Sequence, residues 1–192
     1  MTPATEDGVV LSSTRSVAAS INQIVQESLA AGRSEVRVWN EEFDCWEATG
    51  LREGDVVICT QNHWDLGIQN GSMGKVVAVG SGADDIMGEI EWDDGVVRPF
   101  DAGLLDSLKL GYALTVHKSQ GSQWGRVVVC LPSSSKMVDR SLIYTAITRA
   151  QSQVVLLGQA EHLARVIGQR KAADRRRVGL PKRLSHMYPN RP

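Results

Sequence analysis

GYALTVHKSQGSQW, residues 111–124, carries an apolar β-type run into a dense polar cluster of Thr115, His117, Lys118, Ser119 and Gln120. Gly121 then permits a tight turn, having no Cβ to forbid positive φ. A second β-type run, Arg126–Leu131 (RVVVCL), follows at once. About twenty residues further on, YTAITRA, residues 144–150, reads as a helix with Thr145 and Arg149 one turn apart. Strand, polar loop, strand and a helix ending in arginine together offer hydroxyl, imidazole, ammonium and guanidinium donors. Those are the groups that recognise phosphate.

The helix is predicted over Asp139–Ala150. At about 100° per residue, Leu142, Ile143, Ala146, Ile147 and Ala150 fill one arc, and Thr145, Thr148 and Arg149 share the opposite side. Such a helix buries its apolar face and presents a guanidinium outward, whose planar donors can match two phosphate oxygens. Thr115 and His117 sit where a strand opens into its loop, the carboxyl edge at which α/β sheets bind ligands. Thr115 can donate a hydroxyl to a nucleic-acid phosphate and His117 a ring N–H. Lys118 can join them or stand solvated. Gly121 would let backbone approach a phosphate closely. Because Thr115, His117 and Gly121 share one loop, the strand and phosphate contacts are expected only a few residues apart.

Outward from this region, Val9–Ser12 reads as a buried strand. Val17, Ile21, Ile24, Val25, Ser28 and Leu29 recur at helical spacing, and Gly32 supplies a stop. Glu35–Trp39 reads as a short strand, EEFDCWEATG (residues 41–50) as a loop, and VVICT (residues 56–60) as a second buried strand. This opening β–α–β pattern points to an α/β layer. From His63 to Asp106 no helical period holds, and glycines punctuate three short β runs: Lys75–Val79, Glu89–Trp92 and Val96–Phe100. Asp94-Gly95 is a hairpin turn signal between the last two. The pattern predicts a small β-barrel inserted in the α/β domain. Leu110–Val116 and Arg126–Leu131 are expected core strands, followed by the helix, a strand Val154–Gly158 and a helix Ala160–Arg170.

Trp64 at the entry to the barrel region has two readings. It can stack on a base, worth about 1–3 kcal/mol where that occurs, or it can pack at the barrel seam, the plainer account. Residues 71–76, GSMGKV, carry a lysine after glycine but are no phosphate loop. Gln69 stands where the first glycine of G-x-x-x-x-G-K-[ST] belongs, Val76 replaces the hydroxyl residue, and a β run follows.

The chain has 192 residues, 42% of them hydrophobic and 22% charged, as in a globular protein with room for one core or one core and a small insert. A formal net charge of -1 excludes a polycation, so nucleic-acid binding must be local. Cys45, Cys59 and Cys130 show no metal or disulfide spacing and read as reduced thiols of a cytoplasmic protein. Residues 1–8 have neither basic segment nor apolar core, so no signal peptide is expected. No apolar run nears the roughly 20 residues of a membrane span, so no membrane contact is expected. The end, RKAADRRRVGLPKRLSHMYPNRP (residues 170–192), is basic and aperiodic; it is expected to be loosely ordered, and reads as a nucleic-acid contact or a solvated end.

TVHKSQG and YTAITRA closely resemble motifs V and VI of superfamily 1 helicases, in the RecD-like branch. GDVVICTQNHWDLGIQNGSMGKVV resembles that family's entry into a small SH3-like barrel, so the resemblance runs from about Val9 to Ile167. It implies an α/β, RecA-like, three-layer domain of the P-loop NTPase type with the barrel inserted. The expected division is residues 1–61 and 107–170 for the two parts of the motor domain, 62–106 for the barrel and 171–192 for the tail. Arg149 would be the catalytic arginine reaching the γ-phosphate. Gly121, Gln123 and Arg15 would serve the nucleotide; related families place a glutamate at the position of Gln123, and the motif IV match at Arg15 is loose. Thr115, His117, Lys118 and Trp64 would bind single-stranded DNA. No resident metal is expected in this chain.

Neither a phosphate loop nor an apolar strand ending in paired acids occurs in the sequence. The resemblance therefore implies a piece of a larger helicase, cut just before Val9, with ATP and Mg2+ held mainly outside it. The partners so implied are single-stranded DNA, the missing N-terminal RecA-like domain, and recombination or conjugation subunits. Two alternatives stand beside this. One is a non-catalytic DNA-binding or docking module such as RecD-like regions of conjugative relaxases. The other is an interaction barrel on an inert α/β scaffold.

Overall fold

The computed structural model describes residues 8–80, 85–132 and 138–168. The basic end, residues 171–192, and the last two residues of the predicted final helix lie outside the described residues. Chain order is β1 (Gly8–Ser12), α1 (Arg15–Leu29), β2 (Glu35–Asn40), β3 (Cys45–Arg52), β4 (Val56–Cys59), β5 (Met73–Val79), β6 (Gly88–Trp92) and β7 (Val97–Phe100). There follow α2 (Ala102–Leu105), β8 (Leu108–Leu110), β9 (Ala113–Thr115), β10 (Trp124–Leu131), α3 (Arg140–Ile147), β11 (Ala150–Gly158) and α4 (Ala160–Gly168).

Three sheets result. β11-β10-β1-β9 is parallel throughout, β2-β3 is an antiparallel hairpin, and β7-β6-β5-β4-β8 is antiparallel throughout. In the parallel sheet the chain leaves β1 toward β9, then returns past β1 to β10 and β11. The two crossovers run in opposite directions, so right-handed connection puts α1 and α3 on opposite faces. Val9 and Leu11 of β1 and Val127, Val129 and Leu131 of β10 form one core with Leu142, Ile143 and Ala146 of α3.

α1 starts because Thr14 caps it, its Oγ1 accepting from the Val17 N–H at 3.4 Å. α3 starts on Asp139, whose Oδ1 accepts from Leu142 N–H at 2.7 Å. It is shorter than the periodicity predicts. Thr148 is its C-cap, Arg149 lies just beyond, and Ala150 opens β11. Ile147, expected on the buried arc, is exposed. The Asp94-Gly95 turn forms as expected between β6 and β7, with Gly95 at φ 78°.

Three local expectations are corrected. Residues 45–50 of the expected loop belong to strand β3, which pairs with β2 with a register shift between Glu35 and Arg37 and is turned by Asp44 at φ 50°. Asn40 Oδ1 holds that turn, accepting from the backbone of Glu42 and Phe43. Leu110–Val116, expected as one strand, breaks at Gly111 into β8 of the antiparallel sheet and β9 of the parallel one. A Cβ at Gly111 would stand 3.1 Å from the Val57 carbonyl carbon, so glycine allows this close crossing. Val57, Ile58 and Cys59 are buried and Val56 partly so, but the strand pairs with β5 and β8 and not with the parallel layer.

β4 is apolar along its length because its two faces serve different cores. Val57 and Cys59 join Val76, Ile90, Trp92, Phe100 and Leu104, while Ile58 joins the core beneath the parallel sheet. The antiparallel sheet runs from Val56 to Leu110 and so begins before and ends after the expected 62–106 segment. Residues 71–72 lie in the turn before β5, and residues 73–76 open that strand, paired with β4 and β6. That extended backbone is unlike a phosphate loop, which opens a helix.

Candidate functional site

Loop 116–123 leaves the carboxyl end of β9 and must return to the amino end of its parallel neighbour β10. Its first turn is locked from inside. Lys118 and Ser119 N–H both reach Thr115 O, at 2.9 and 3.1 Å, and buried Ser119 donates its hydroxyl to Val116 O at 2.8 Å. Lys118 N–H also meets Thr115 Oγ1 at 3.3 Å. The threonine oxygen is an acceptor there, which leaves its O–H available as a donor. At the far end Gly121 has φ 94°, the left-handed conformation its sequence context predicts.

The beginning of this loop faces a cleft of about 1210 Å³. Thr115, His117 and Lys118 line it with Arg15 from the first turn of α1, and Thr60, Asn70 and Lys109 from the antiparallel-sheet side face the same space. Burial pushes the Lys118 ammonium below the ordinary lysine value, repulsion from Lys109 and Arg15 adding to it against an opposing effect of Cys59. The cleft is thus short of negative charge, with Asp106 as an acidic residue on its rim. A phosphate entering it would relieve that repulsion.

Arg149 stands elsewhere. Its Nε donates to Thr145 O at 3.2 Å, a carbonyl at the helix end that also accepts from the Thr148 hydroxyl at 3.0 Å. Its two terminal nitrogens donate to Ser122 O and Thr148 Oγ1, each at 3.3 Å. Its own carbonyl accepts from Trp124 N–H at 2.9 Å. A guanidinium has five N–H donors; three are engaged, so two remain for an anion. The side chain is half-buried, fixed to the end of loop 116–123 rather than loose on a helix surface.

Register separates the two clusters. Thr115 is level with Ser12 and Cys130, whereas Trp124 pairs with Ala150, next to Arg149. Six residue steps along β10, Trp124 to Cys130, separate those levels, about 20 Å at roughly 3.3 Å per residue. Thr115, His117 and Gly121 share one loop, but its two ends stand at opposite edges of the parallel sheet. Arg15, expected with the nucleotide group, instead lines the cleft with Thr115, His117 and Lys118. Gln123 and Gly121 are exposed near Ser122. Trp64 is 72% exposed on the turn before Ile68 and does not line the cleft, which removes the seam-packing account. Asn22, which grips Ala113 beside the cleft, and the Ser122 carbonyl escaped sequence reading. An asparagine inside an amphipathic helix and a backbone oxygen carry no compositional signal.

Residues 110–157 match the model of the UvrD-like helicase C-terminal domain. The chain is 38% identical over 162 residues to RecBCD enzyme subunit RecD of Mycolicibacterium smegmatis, covering 80% of this chain and 27% of that protein. It is 40% identical over 110 residues to the ATP-dependent RecD2 DNA helicase of Deinococcus radiodurans, covering 57% and 15%. A crystal structure of Pif1 helicase from Bacteroides in complex with ADP-AlF3 and ssDNA superposes with a TM-score of 0.61 at 16% identity, over 98% of this chain and 47% of that one. At that identity the likeness is one of fold. The chain thus spans about a quarter or less of the length of these curated relatives. No described helix is long and apolar enough to cross a membrane.

Proposed function

We propose, from the similarity of this chain to the C-terminal part of RecD-like superfamily 1 DNA helicases, that it is the second RecA-like motor domain of an ATP-dependent DNA helicase. In this reading β1, α1 and β9–α4 form the motor layer, and β4–β8 form the inserted SH3-like barrel. Thr115, His117, Lys118 and Arg15 bind the phosphates of single-stranded DNA in the cleft. Arg149 offers its two free donors to the γ-phosphate of a nucleotide carried mainly by the preceding domain of the parent protein, with Gly121 and Gln123 beside it.

One observation carries the reading. A single loop presents Thr115, His117 and Lys118 to a cation-lined cleft at one end and holds the Arg149 guanidinium through Ser122 O at the other. Bound ATP supplies the free energy of hydrolysis when the two domains close on it. This chain's own part is to place a charge that survives burial against the developing anion. The donors present at Arg149 suit the anionic end of a nucleotide and would not hold Mg2+, which is proposed to be held by the other domain. Arg15 moves, in this proposal, from the nucleotide to the strand, because it shares the cleft with Lys118. A loop that spans the sheet edge to edge is a short mechanical link, so closure at Arg149 can shift the strand contacts without a long pathway.

The test uses chain 1–192 with a fluorescent oligothymidylate. Weak binding that falls steeply with salt is expected, since each neutralised phosphate releases counterions. ATP hydrolysis by the same preparation should be absent. Salt-independent binding, or DNA-stimulated turnover that survives removal of contaminating ATPases, would sink the reading. A non-catalytic binding module predicts the same strand binding but no effect of Arg149 substitutions on any activity of the parent protein.

A further inference from the structure

Two side chains of α1, one turn apart, hydrogen-bond to distant parts of the described chain. Asn22 grips the Ala113 backbone with both ends of its amide, Nδ2 donating to the carbonyl at 2.9 Å and Oδ1 accepting from the N–H at 2.7 Å. Gln26 reaches the other way, its Nε2 donating to Gly50 O at 2.7 Å and Asp55 Oδ2 at 2.5 Å. Asp55 is fully buried. Its carboxylate takes two further donors, Arg52 N–H at 2.7 Å on Oδ2 and the Tyr112 hydroxyl at 2.9 Å on Oδ1. Its backbone carbonyl accepts from Val76 N–H at 2.9 Å.

Asp55 immediately precedes β4, where the chain enters the antiparallel sheet. Tyr112 lies between β8 and β9, where it leaves. The two crossings are therefore tied to each other and to α1 at one buried carboxylate. Burying such a group is costly unless donors surround it, and here each oxygen is met. Gln26, Asp55 and Tyr112 do not line the cleft, but their neighbours Asn22, Gly50, Leu51, Leu110 and Ala113 do.

We infer that Gln26, Asp55 and Tyr112 are positioning residues: a buried polar joint that holds the antiparallel sheet at a set distance from α1 and so sets the width of the cleft. The functional half of this inference rests on the proposed strand site; the mechanical half stands without it. A strand can touch Arg15 and Lys118 on one wall and Lys109 on the other only while the gap is kept. Loosening the joint should cost the Lys109 contact first.

Spin labels at Glu27→Cys on α1 and Val96→Cys on the β6–β7 turn, in chain 1–192 carrying Cys45→Ser and Cys130→Ser, read the distance between the two units. The parent pair should give one narrow distribution, and Tyr112→Phe, which keeps the ring and removes only the hydroxyl, should broaden it. Tyr112→Phe should also weaken oligothymidylate binding about fivefold. Lys109→Ala should weaken the wild type about fivefold and the Tyr112→Phe chain less than about twofold, since coupled contacts are not additive. Multiplying losses, or an unchanged distance distribution, would overturn the joint. Asp55→Asn serves as a second probe; if it does not fold, Tyr112→Phe decides. If the wild type binds no oligonucleotide, the strand site fails while the distance measurement still decides the joint.

Discussion

Arg149→Ala should separate two magnitudes that a merely structural arginine would keep together. In this chain it removes three hydrogen bonds of 3.2–3.3 Å, all at the long end of the N–H···O range. Each is worth about 0.5–1.5 kcal/mol in a folded protein. Against that, the partners are half-exposed and can be rehydrated, and releasing an arginine returns up to about 2 kcal/mol of rotamer entropy. The net loss is about 1 kcal/mol, a fall in Tm of about 2–4 °C for a chain of this size. Loss of an arginine that stabilises phosphoryl transfer costs about 10³-fold or more in turnover, at least about 4 kcal/mol. The second magnitude far exceeds the first. In the parent protein, DNA-stimulated ATPase should therefore drop about 10³-fold or more while nucleotide affinity and Tm change little. Arg149→Lys should resemble Arg149→Ala, because one ammonium cannot bridge Thr145 O, Ser122 O and a phosphate together. Turnover within a few-fold of wild type would make Arg149 an ordinary structural residue. A drop in Tm beyond about 10 °C, well above the 2–4 °C expected, would show that the hydrogen bonds carry the fold.

In the parent protein, His117→Ala should reduce DNA-stimulated ATPase and unwinding more than basal ATPase, measured at matched salt; equal losses would remove the strand-contact assignment. Lys118 loses its charge below the usual lysine range through burial first and then its cationic neighbours. Oligonucleotide affinity should accordingly decline as pH rises toward 10.5, and Lys118→Ala should flatten that decline; an unchanged slope refutes it. The Tyr112 phenol is pushed up to about 12, by burial first and then by Asp55. Its protonated form is the one the fold favours, so this stability is present below pH 10.0 and is lost between pH 10.0 and about 12. Urea midpoints of wild type and Tyr112→Phe should converge across that window, and parallel curves would count against the Tyr112–Asp55 bond.

Several features were legible from residues alone because their causes are local. TVHKSQG and YTAITRA carried the family resemblance, which the RecD and UvrD-like similarities support. The Asp94-Gly95 turn, the positive φ at Gly121 and the apolar arc of Leu142, Ile143 and Ala146 follow from backbone sterics and helical period within a few residues. β2 is legible in its residues but its partner β3 is not, because the hairpin stands in solvent: Trp39 and Trp46 pair edge-on in the open. With little buried face, β3 shows no alternation to read.

What the sequence determined by itself was the chemistry carried by each short segment and whether that segment was apolar enough to be buried. Tertiary structure alone decided which sheet each strand joins and which groups meet. β4 is apolar on both faces, which fits a parallel layer equally well, and only its pairing with β5 and with Leu108–Leu110, some fifty residues away, assigns it to the antiparallel sheet. The pairing with Leu108–Leu110 breaks Leu110–Val116 at Gly111, while the pairing of β1 with β9 and β10, and of β10 with β11, sets Arg15 at the same sheet edge as Lys118 and puts Arg149 about 20 Å from Thr115 along β10. The physical reason is that strand partners are chosen by backbone hydrogen bonds between distant residues. Those bonds use groups every residue carries, so the choice leaves no mark in the residue types themselves.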